Sequence, residues 1–182
     1  MNELEELALL IHERNGIARR ITDIIGRPAQ IGHVGEFIAS RVFDIKLEES
    51  AIAKGIDGVF RSGALAGKTV NVKFYAKFES ILAVCEDGGP DYYLVLTGPR
   101  TKAMTSRGEA RLWHIDFVFL FNEPILLQHL QDRGVVIGVA TSVISEQWKK
   151  AEIFPTQTNP ELQLSEDQQD MLKLFGSTES DV

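Results

Sequence analysis

Residues 92–97 form an almost entirely apolar run, YYLVLT, with no polar residue at alternate positions. A strand with this pattern is buried on both faces, and such strands lie at the centre of sheets that helices cover on both sides. Elsewhere in the chain, apolar residues recur three and four positions apart, which is typical of helices with one buried face. The run therefore predicts an α/β protein with a central sheet between helices.

The same periodicities predict the remaining elements along the chain. Helices are expected over 3–25 (one helix, or a pair around Gly16), 33–43, 77–86 and 124–132, and from Ser165 to about 175. Strands are expected over 55–60, 69–75, 92–97, 114–121 and 134–143. Turn-rich and Pro-containing segments separate these elements, as in an ordinary folded domain.

The 182 residues fit one domain with a small extension. We expect a single α/β domain over residues 1–156, with the N-terminal helical segment 1–26 packed on it. Residues 157–182 form an acidic C-terminal extension, which holds six acidic residues and one lysine. The extension thus accounts for −5 of the formal net charge of −7. The body is nearly neutral, so any contact with nucleic acid has to be local.

Several classes of protein are excluded by what the chain lacks. No apolar run approaches the ~20 residues of a membrane span, so no membrane partner is expected. The single cysteine, Cys85, excludes an internal disulfide framework and a cysteine-based zinc site. The N-terminus is acidic and amphipathic, unlike a secretory signal or a transit peptide. These features predict a protein of the cytoplasm.

Three short stretches place polar residues where they can meet: GHVGEFIA, GIDGVF and VNVKFY. Strand alternation puts Asn71 and Lys73 on one face of the strand over 69–75. A hairpin between 55–60 and 69–75 would bring Asp57 beside them. Glu36 lies outside the apolar stripe of its helix, so a helix at the rim of the sheet can direct it toward the same place.

The stretches IGHVGEFIA, GIDGVF, VNVKFYAK and YYLVLTGP, in this order, resemble the restriction-endonuclease-like superfamily known as PD-(D/E)xK. They are similar to a small bacterial branch of it with an NxK variant of the motif, over about residues 27–155. The resemblance implies an α-β-β-β-α-β core, a mixed central sheet flanked by helices, with the active site at one end of the sheet. Ile56 stands in place of the name-giving proline. Asn71 stands in place of the usual Asp or Glu, which keeps an oxygen but removes one negative charge.

By this resemblance the protein is expected to be a nuclease that hydrolyses phosphodiester bonds with Mg²⁺ or Mn²⁺. DNA is favoured over RNA as the substrate, in a restriction or defence system. The implied catalytic residues are Glu36, Asp57, Asn71 and Lys73, of which the first three would hold the metal. Lys73 would orient the water or stabilise the transition state. Cutting both strands needs two such sites, so the resemblance also implies a homodimer.

Two other classes of function stay open. A catalytically silent member of the superfamily would bind nucleic acid or a protein partner, and Asn71 is the feature that favours it. An interaction module would use its acidic extension to dock on a basic partner or to cover its own basic loop. Taken singly, the site residues also have ordinary structural explanations, such as a solvent-facing strand position for Lys73 or turn chemistry for Asp57.

A basic loop follows the central strand and is a candidate for phosphate contacts. Residues 99–111 carry four basic side chains against Glu109 alone, namely Arg100, Lys102, Arg107 and Arg111. His33, three residues before Glu36, is a further candidate for a phosphate contact, although it also suits the start of a helix. The alternative for the loop is a solvated surface connection with no role in binding.

Overall fold

The computed structural model describes residues 2–48, 55–85, 88–100 and 111–178. Its helices are α1 (Glu3–Ile25), α2 (Ile31–Val42), α3 (Glu123–Asp132), α4 (Ser145–Ala151) and α5 (Glu166–Lys173). Its strands are β1 (Ile45–Leu47), β2 (Gly58–Phe60), β3 (Thr69–Tyr75), β4 (Ile81–Leu82), β5 (Tyr92–Thr97), β6 (Phe117–Asn122), β7 (Thr141–Ser142) and β8 (Glu152–Phe154). A short 3-10 turn, Gly63–Leu65, connects β2 to β3.

Six strands form one mixed sheet in the order β1-β2-β3-β5-β6-β8, and β4 pairs separately with β7. The neighbours β3 and β5 run parallel, whereas every other pair in the large sheet is antiparallel. All six residues of β5 are buried. The mixed sheet with helices confirms the predicted α/β class, and the apolar run at 92–97 lies inside the sheet as expected.

The two faces of the sheet bury two separate hydrophobic clusters. On the first face, Val70, Val72 and Phe74 of β3 pack with residues of α2 and α5. On the second face, Tyr93 and Val95 of β5 pack with residues of α3 and α4, including Trp148. Because side chains alternate along a strand, Asn71 and Lys73 belong to the second face, where the register pairs them with Tyr93 and Val95.

Hydrogen bonds between Asp91 and Thr69 join the starts of the two parallel strands. Asp91 Oδ2 accepts from the backbone N and from Oγ1 of Thr69, both at 2.8 Å, and the Asp91 backbone N donates to the same hydroxyl at 2.8 Å. Lys68 Nζ lies 3.1 Å from the other carboxylate oxygen. The backbone N–H of Thr69 is the main cause that lowers the pKa of Asp91. The contact fixes where β3 begins relative to β5.

The N-terminal segment is one uninterrupted helix, α1, and its cap explains where it starts. Asn2 accepts from the backbone N of Glu5 at 2.9 Å, and Glu5 accepts from the backbone N of Asn2 at 2.8 Å. The helix ends at Gly26, whose φ of 71° suits a residue without a side chain. Residues 2–17 are all exposed, so the expected packing of segment 1–26 on the domain is limited to its C-terminal part. Among the described helices, none is long and apolar enough to cross a membrane.

Two sequence predictions are wrong. The helix expected over 77–86 is replaced by the two-residue strand β4, because Ser80 has a φ of 58°, which no right-handed helix accommodates. The strand expected over 134–143 is reduced to Thr141–Ser142. Val136 and Val139 are exposed there, whereas Val143 is buried in the second-face cluster and Val135 and Ile137 pack against it, so these apolar residues reach the core without forming a continuous strand.

The C-terminal segment forms the predicted helix and joins the core of the domain. The Ser165 hydroxyl accepts from the backbone N of Gln168, as expected for a capping box. Leu164 and Leu172 are buried in the first-face cluster, and the Gln168 amide donates to the carbonyl oxygen of Val42 at 2.8 Å. Residues after 156 therefore complete the packing around α2. The helix α4 and the strand β8, which join this segment to β6, were not predicted.

Candidate functional site

Asp57 stands where β2 separates from β3. Its backbone N donates to the carbonyl oxygen of Val70 at 2.9 Å, and its side-chain Oδ2 accepts from the backbone N of Val72 at 2.7 Å. The carboxylate thus takes the place that a strand carbonyl would occupy in a regular ladder. This bond holds the Asp57 carboxylate at a fixed position beside Asn71, the residue between its two partners.

The glycine after Asp57, Gly58, allows β1 and β2 to lie unusually close together. A Cβ at Gly58 would lie 2.5 Å from the carbonyl oxygen of Lys46 and 2.7 Å from Cγ2 of Ile45. Only a residue without a side chain lets β1 pass so close to β2. Gly58 therefore permits the close pairing of β1 with β2, directly after the residue whose carboxylate bonds β3.

Asn71 is buried on the second face of the sheet, and the segment 83–85 crosses the same face. Its exposed fraction is 4%, and its Oδ1 is buried with no hydrogen-bond donor among the described residues. The crossing segment is fixed by two hydroxyls: Tyr75 accepts from Ala83 N at 3.2 Å, and Tyr93 accepts from Cys85 N at 2.9 Å. An unsatisfied buried oxygen costs about 1–3 kcal/mol, so this atom is strongly disposed to accept a bond.

Glu36 and Lys73 bring charge close to Asp57. The Glu36 side chain on α2 is 15% exposed and forms an ion pair with Arg27. Lys73 is partly buried, and its side chain makes no hydrogen bond or ion pair with another described residue. Asn71, two residues earlier in β3, lies on the same face of the strand. Glu36 and Lys73 thus both influence the ionisation of Asp57, although α2, which carries Glu36, packs on the first face and the side chains of Asn71 and Lys73 belong to the second.

The protonation of Asp57 reflects these neighbours. Burial is the largest influence and raises the pKa of its carboxyl, with a smaller upward contribution from the negative charge of Glu36. The hydrogen bond from Val72 opposes this shift, as do the positive charges of Lys73 and Arg27. The net result is a raised pKa, so the ionised carboxylate is costly to keep here without a further positive charge.

The donor set suits a hard divalent cation. Asp57 and Glu36 supply two carboxylates, and the unsatisfied Oδ1 of Asn71 supplies a neutral oxygen; Mg²⁺ is commonly held by one or two carboxylates, with water and phosphate oxygens completing its shell. In the part of the chain that the structure describes, no group of three or more His, Cys, Asp or Glu side chains could hold a metal ion. A site for Mg²⁺ or Mn²⁺ here would need the asparagine as well as the two carboxylates.

The predicted phosphate contacts are only partly within the described residues. The ring Nδ1 of His33 lies 2.9 Å from the carbonyl oxygen of Pro28, so this nitrogen ties the chain before α2 to the helix. The guanidinium of Arg100 lies over the rings of Phe78 and Phe117, 4.9 and 4.7 Å from their centroids.

Arg100 is also 3.6 Å from a carboxylate oxygen of Glu152, so its charge is already matched within the domain. Arg111 is exposed. Lys102 and Arg107 lie outside the described residues.

Two residues near the site were not found from the sequence. Arg27 follows the end of α1 and pairs with Glu36, but its position in a helix-stop signal gave no indication of that partner. Glu123, the first residue of α3, is buried, and burial together with the charge of Asp91 raises its pKa. Its place in an apolar helix start resembles an ordinary cap, so only the folded arrangement reveals it.

A cavity of about 500 Å³ lies elsewhere, between α3, α4 and residues 158–161. Its lining is mostly apolar, with charged side chains that include Arg133, Glu146 and Lys150. None of Glu36, Asp57, Asn71 and Lys73 lines it. The cavity and the candidate site are therefore separate features of the domain.

Comparison with known proteins leaves the candidate site as the main guide to function. The chain matches no protein-family model, and no curated protein matches it significantly.

Proposed function

We propose that this protein is a divalent-metal-dependent nuclease that hydrolyses phosphodiester bonds, with DNA as the favoured substrate. The observation that carries the proposal is the carboxylate of Asp57, held by the backbone of β3 within range of the charges of Glu36 and Lys73. The restriction-endonuclease-like core belongs to the same proposal. Its support is the mixed sheet, in which Asp57 directly precedes β2 and Lys73 lies on the neighbouring strand β3.

Asp57, Glu36 and Asn71 would hold the metal in this proposal. A bound Mg²⁺ or Mn²⁺ would neutralise a non-bridging phosphate oxygen and lower the pKa of a water. The cation would also offset the cost of ionising the buried Asp57 carboxyl, whose pKa is raised mainly by burial. The hydrogen bond from Val72 N keeps this carboxylate in place during the reaction.

Lys73 supplies a positive charge without a competing partner. Because it makes no ion pair among the described residues, its ammonium can contact a phosphate oxygen or hold the attacking water. A donor that is already in place stabilises the charge that develops in the transition state without further reorganisation.

A second candidate, a catalytically silent protein that binds nucleic acid or a protein partner, is favoured by the charge balance of the site. Arg27 already neutralises Glu36, and Asn71 contributes no charge. Such a site holds a cation weakly. The two candidates therefore differ in whether the protein responds to Mg²⁺ or Mn²⁺ at all.

The deciding experiment incubates the purified protein with plasmid DNA, single-stranded DNA and RNA in Mg²⁺ and in Mn²⁺, with EDTA as the blank. We expect metal-dependent cleavage that Asp57→Asn abolishes and that Lys46→Ala, an exposed lysine in the nearby strand β1, leaves unchanged. Absence of cleavage in every combination would reject the nuclease.

Asn71→Asp separates the two candidates further. This change adds a full negative charge beside Asp57, so a metal-binding site should give a larger thermal stabilisation by Mg²⁺ than wild type. If neither protein shows any metal-dependent thermal shift, the silent binder is supported and the metal site is rejected.

A further inference from the structure

The cavity between α3, α4 and residues 158–161 has the size and the lining of a site for a small molecule. Its volume is about 500 Å³, within the range of roughly 300–1,000 Å³ for such sites. Buried Leu126 and Ala151 form part of its lining. Ile125 and Ile144 also line it and are 54% and 38% exposed. A molecule that fills the cavity would remove this apolar surface from water, which favours its binding.

Hydrogen bonds to the sheet hold the wall of residues 158–161 in place. The buried side-chain amide of Asn159 donates to the carbonyl oxygen of Leu120 at 2.9 Å, and its Oδ1 accepts from the backbone N of Glu161 at 2.8 Å. The Tyr92 hydroxyl donates to a carboxylate oxygen of Glu161 at 2.5 Å. The wall is therefore already ordered, so binding does not lose free energy to that step.

Arg133 brings a positive charge without a partner to the cavity. It lies at the end of α3, and its side chain makes no hydrogen bond or ion pair with another described residue. Glu146 and Lys150, by contrast, pair with each other at 2.7 Å. Lys150 is the main cause that lowers the pKa of Glu146, with a smaller contribution from His129, which also lines the cavity. The guanidinium of Arg133 is thus available to an acidic group of a ligand.

The negative charge of Glu161 lies toward the other end of the cavity. Asn122, which donates to Glu161 at 3.3 Å, directly precedes α3, whereas Arg133 directly follows it. The 10 residues of α3 lie between them, which corresponds to about 16 Å along the helix axis. This exceeds the Debye length of about 8 Å at physiological salt, so the charge of Glu161 is largely screened at Arg133. The cavity therefore has apolar walls and an available positive charge at one end.

We propose that this cavity binds a small organic acid with an apolar body, either a ring system or a short chain. Its acidic group contacts Arg133, and its body covers Ile125 and Ile144. A cationic ligand fits less well, because both acidic residues of the lining already have partners. None of the proposed nuclease residues lines the cavity, so the proposal stands apart from the nuclease activity.

Two fluorescent probes that differ mainly in one charged group test the proposal on the full chain. Anilinonaphthalene sulfonate has an aromatic body and a sulfonate, and phenylnaphthylamine has the same body without the sulfonate. We expect the sulfonate probe to bind with a dissociation constant of about 10–100 µM at low salt. Arg133→Gln should weaken this binding by about fivefold, the upper effect of an exposed ion pair, and should leave the binding of the neutral probe unchanged.

Ile125→Glu tests whether both probes occupy the cavity. It replaces an apolar lining side chain with a negative charge, so it should weaken the binding of both probes by about tenfold or more. A glutamate in the first turn of α3 also suits the N-terminus of a helix, so the variant should fold. Ile24→Glu and Arg20→Gln are the matched controls, because both side chains are exposed on α1 and neither lines the cavity.

Circular dichroism and thermal unfolding check that every variant folds like the wild type. The proposal is overturned if the sulfonate probe does not bind, if Ile125→Glu leaves both probes unaffected, or if the controls weaken binding as much. If Arg133→Gln affects both probes equally, or neither, the cavity does not recognise the acidic group, and the proposal is again overturned. Light scattering covers a further alternative: a dimer that Ile125→Glu dissociates would show that a second copy, rather than a small acid, covers the cavity.

Discussion

Lys73 is a positively charged side chain on the buried side of a central strand, close enough to Asp57 to lower its pKa. If it stabilises the transition state, Lys73→Ala should reduce the cleavage rate by about 10²–10³-fold, the effect of removing one preorganised donor. Thermal unfolding should be nearly unchanged, since the lysine makes no ion pair among the described residues. Lys46→Ala provides the comparison, and equal rates for the two variants would remove Lys73 from the mechanism.

Asp57 is expected to reduce the stability of the metal-free protein. Its pKa is raised in the folded state, so the protein gains relative stability below the ordinary value of 3.8 and loses it as the pH rises through the folded value. Asp57→Asn keeps an oxygen that can accept from Val72 N but carries no charge. Urea unfolding of the metal-free variant should therefore show higher stability than wild type at pH 7 and no difference below pH 3.8. A variant less stable than wild type at pH 7 would contradict this account.

The positions of Asn71 and Lys73 could be predicted from the sequence, because strand alternation is local and fixes which residues share a face. The ion pair between Arg27 and Glu36 could not, since it joins the end of one helix to the face of another. The path of segment 83–85 over the second face could not be predicted either, because it follows from bonds to tyrosine hydroxyls rather than from any periodicity.

The packing of α2 on β3 depends on a glycine that faces the sheet. A Cβ at Gly35 would lie 2.7 Å from Cβ of Phe74, whereas Gly32 in the same helix has open space around it. Gly32→Ala should therefore raise stability by about 0.5–1 kcal/mol through helix propensity alone.

Gly35→Ala should lower stability by about 1–3 kcal/mol because the helix must move away from β3. Denaturant titration of both variants measures these two changes in the free energy of unfolding. Equal stabilisation by both alanines would show that α2 is not held as closely as the structure indicates.

At the level of elements, the long helices and the central strands were predictable because each repeats its pattern over several turns or pleats. The caps at Asn2 and Ser165 marked two of the helix starts. The errors concern short elements. Two residues of strand, as in β4 and β7, carry too little pattern to distinguish them from a helix or a longer strand, and their partners are distant in sequence.

The C-terminal segment is part of the folded molecule rather than an appendage, because Leu164 and Leu172 are buried with the residues of α2 and β3. Deleting residues 157–182 should therefore lower the melting temperature by ten degrees or more, about the effect of losing two core leucines at 2–5 kcal/mol each. Differential scanning calorimetry measures this directly. If the truncated protein has the same melting temperature as the full chain, the core packs without this segment.

The hypothesis that the acidic extension covers the basic loop is better tested by removing negative charges from the extension than by deleting it. Glu166, Asp167 and Asp170 are exposed on α5, so their conversion to Gln and Asn leaves the core intact. If the extension covers the loop, this variant should bind DNA more tightly than wild type in a fluorescence anisotropy titration at low salt. Equal affinity would exclude the cover.

The bonds between Asp91 and Thr69 have a consequence for motion. β3 and β5 are buried neighbours whose starts are tied together, so their amide hydrogens should exchange with solvent only when the whole domain unfolds. Amides in the first half of α1 should exchange far faster, by local fraying, because residues 2–17 are all exposed. The strand β3, which carries both Asn71 and Lys73, is therefore rigid for as long as the protein is folded. Any movement that admits a substrate has to come from the segments above the sheet.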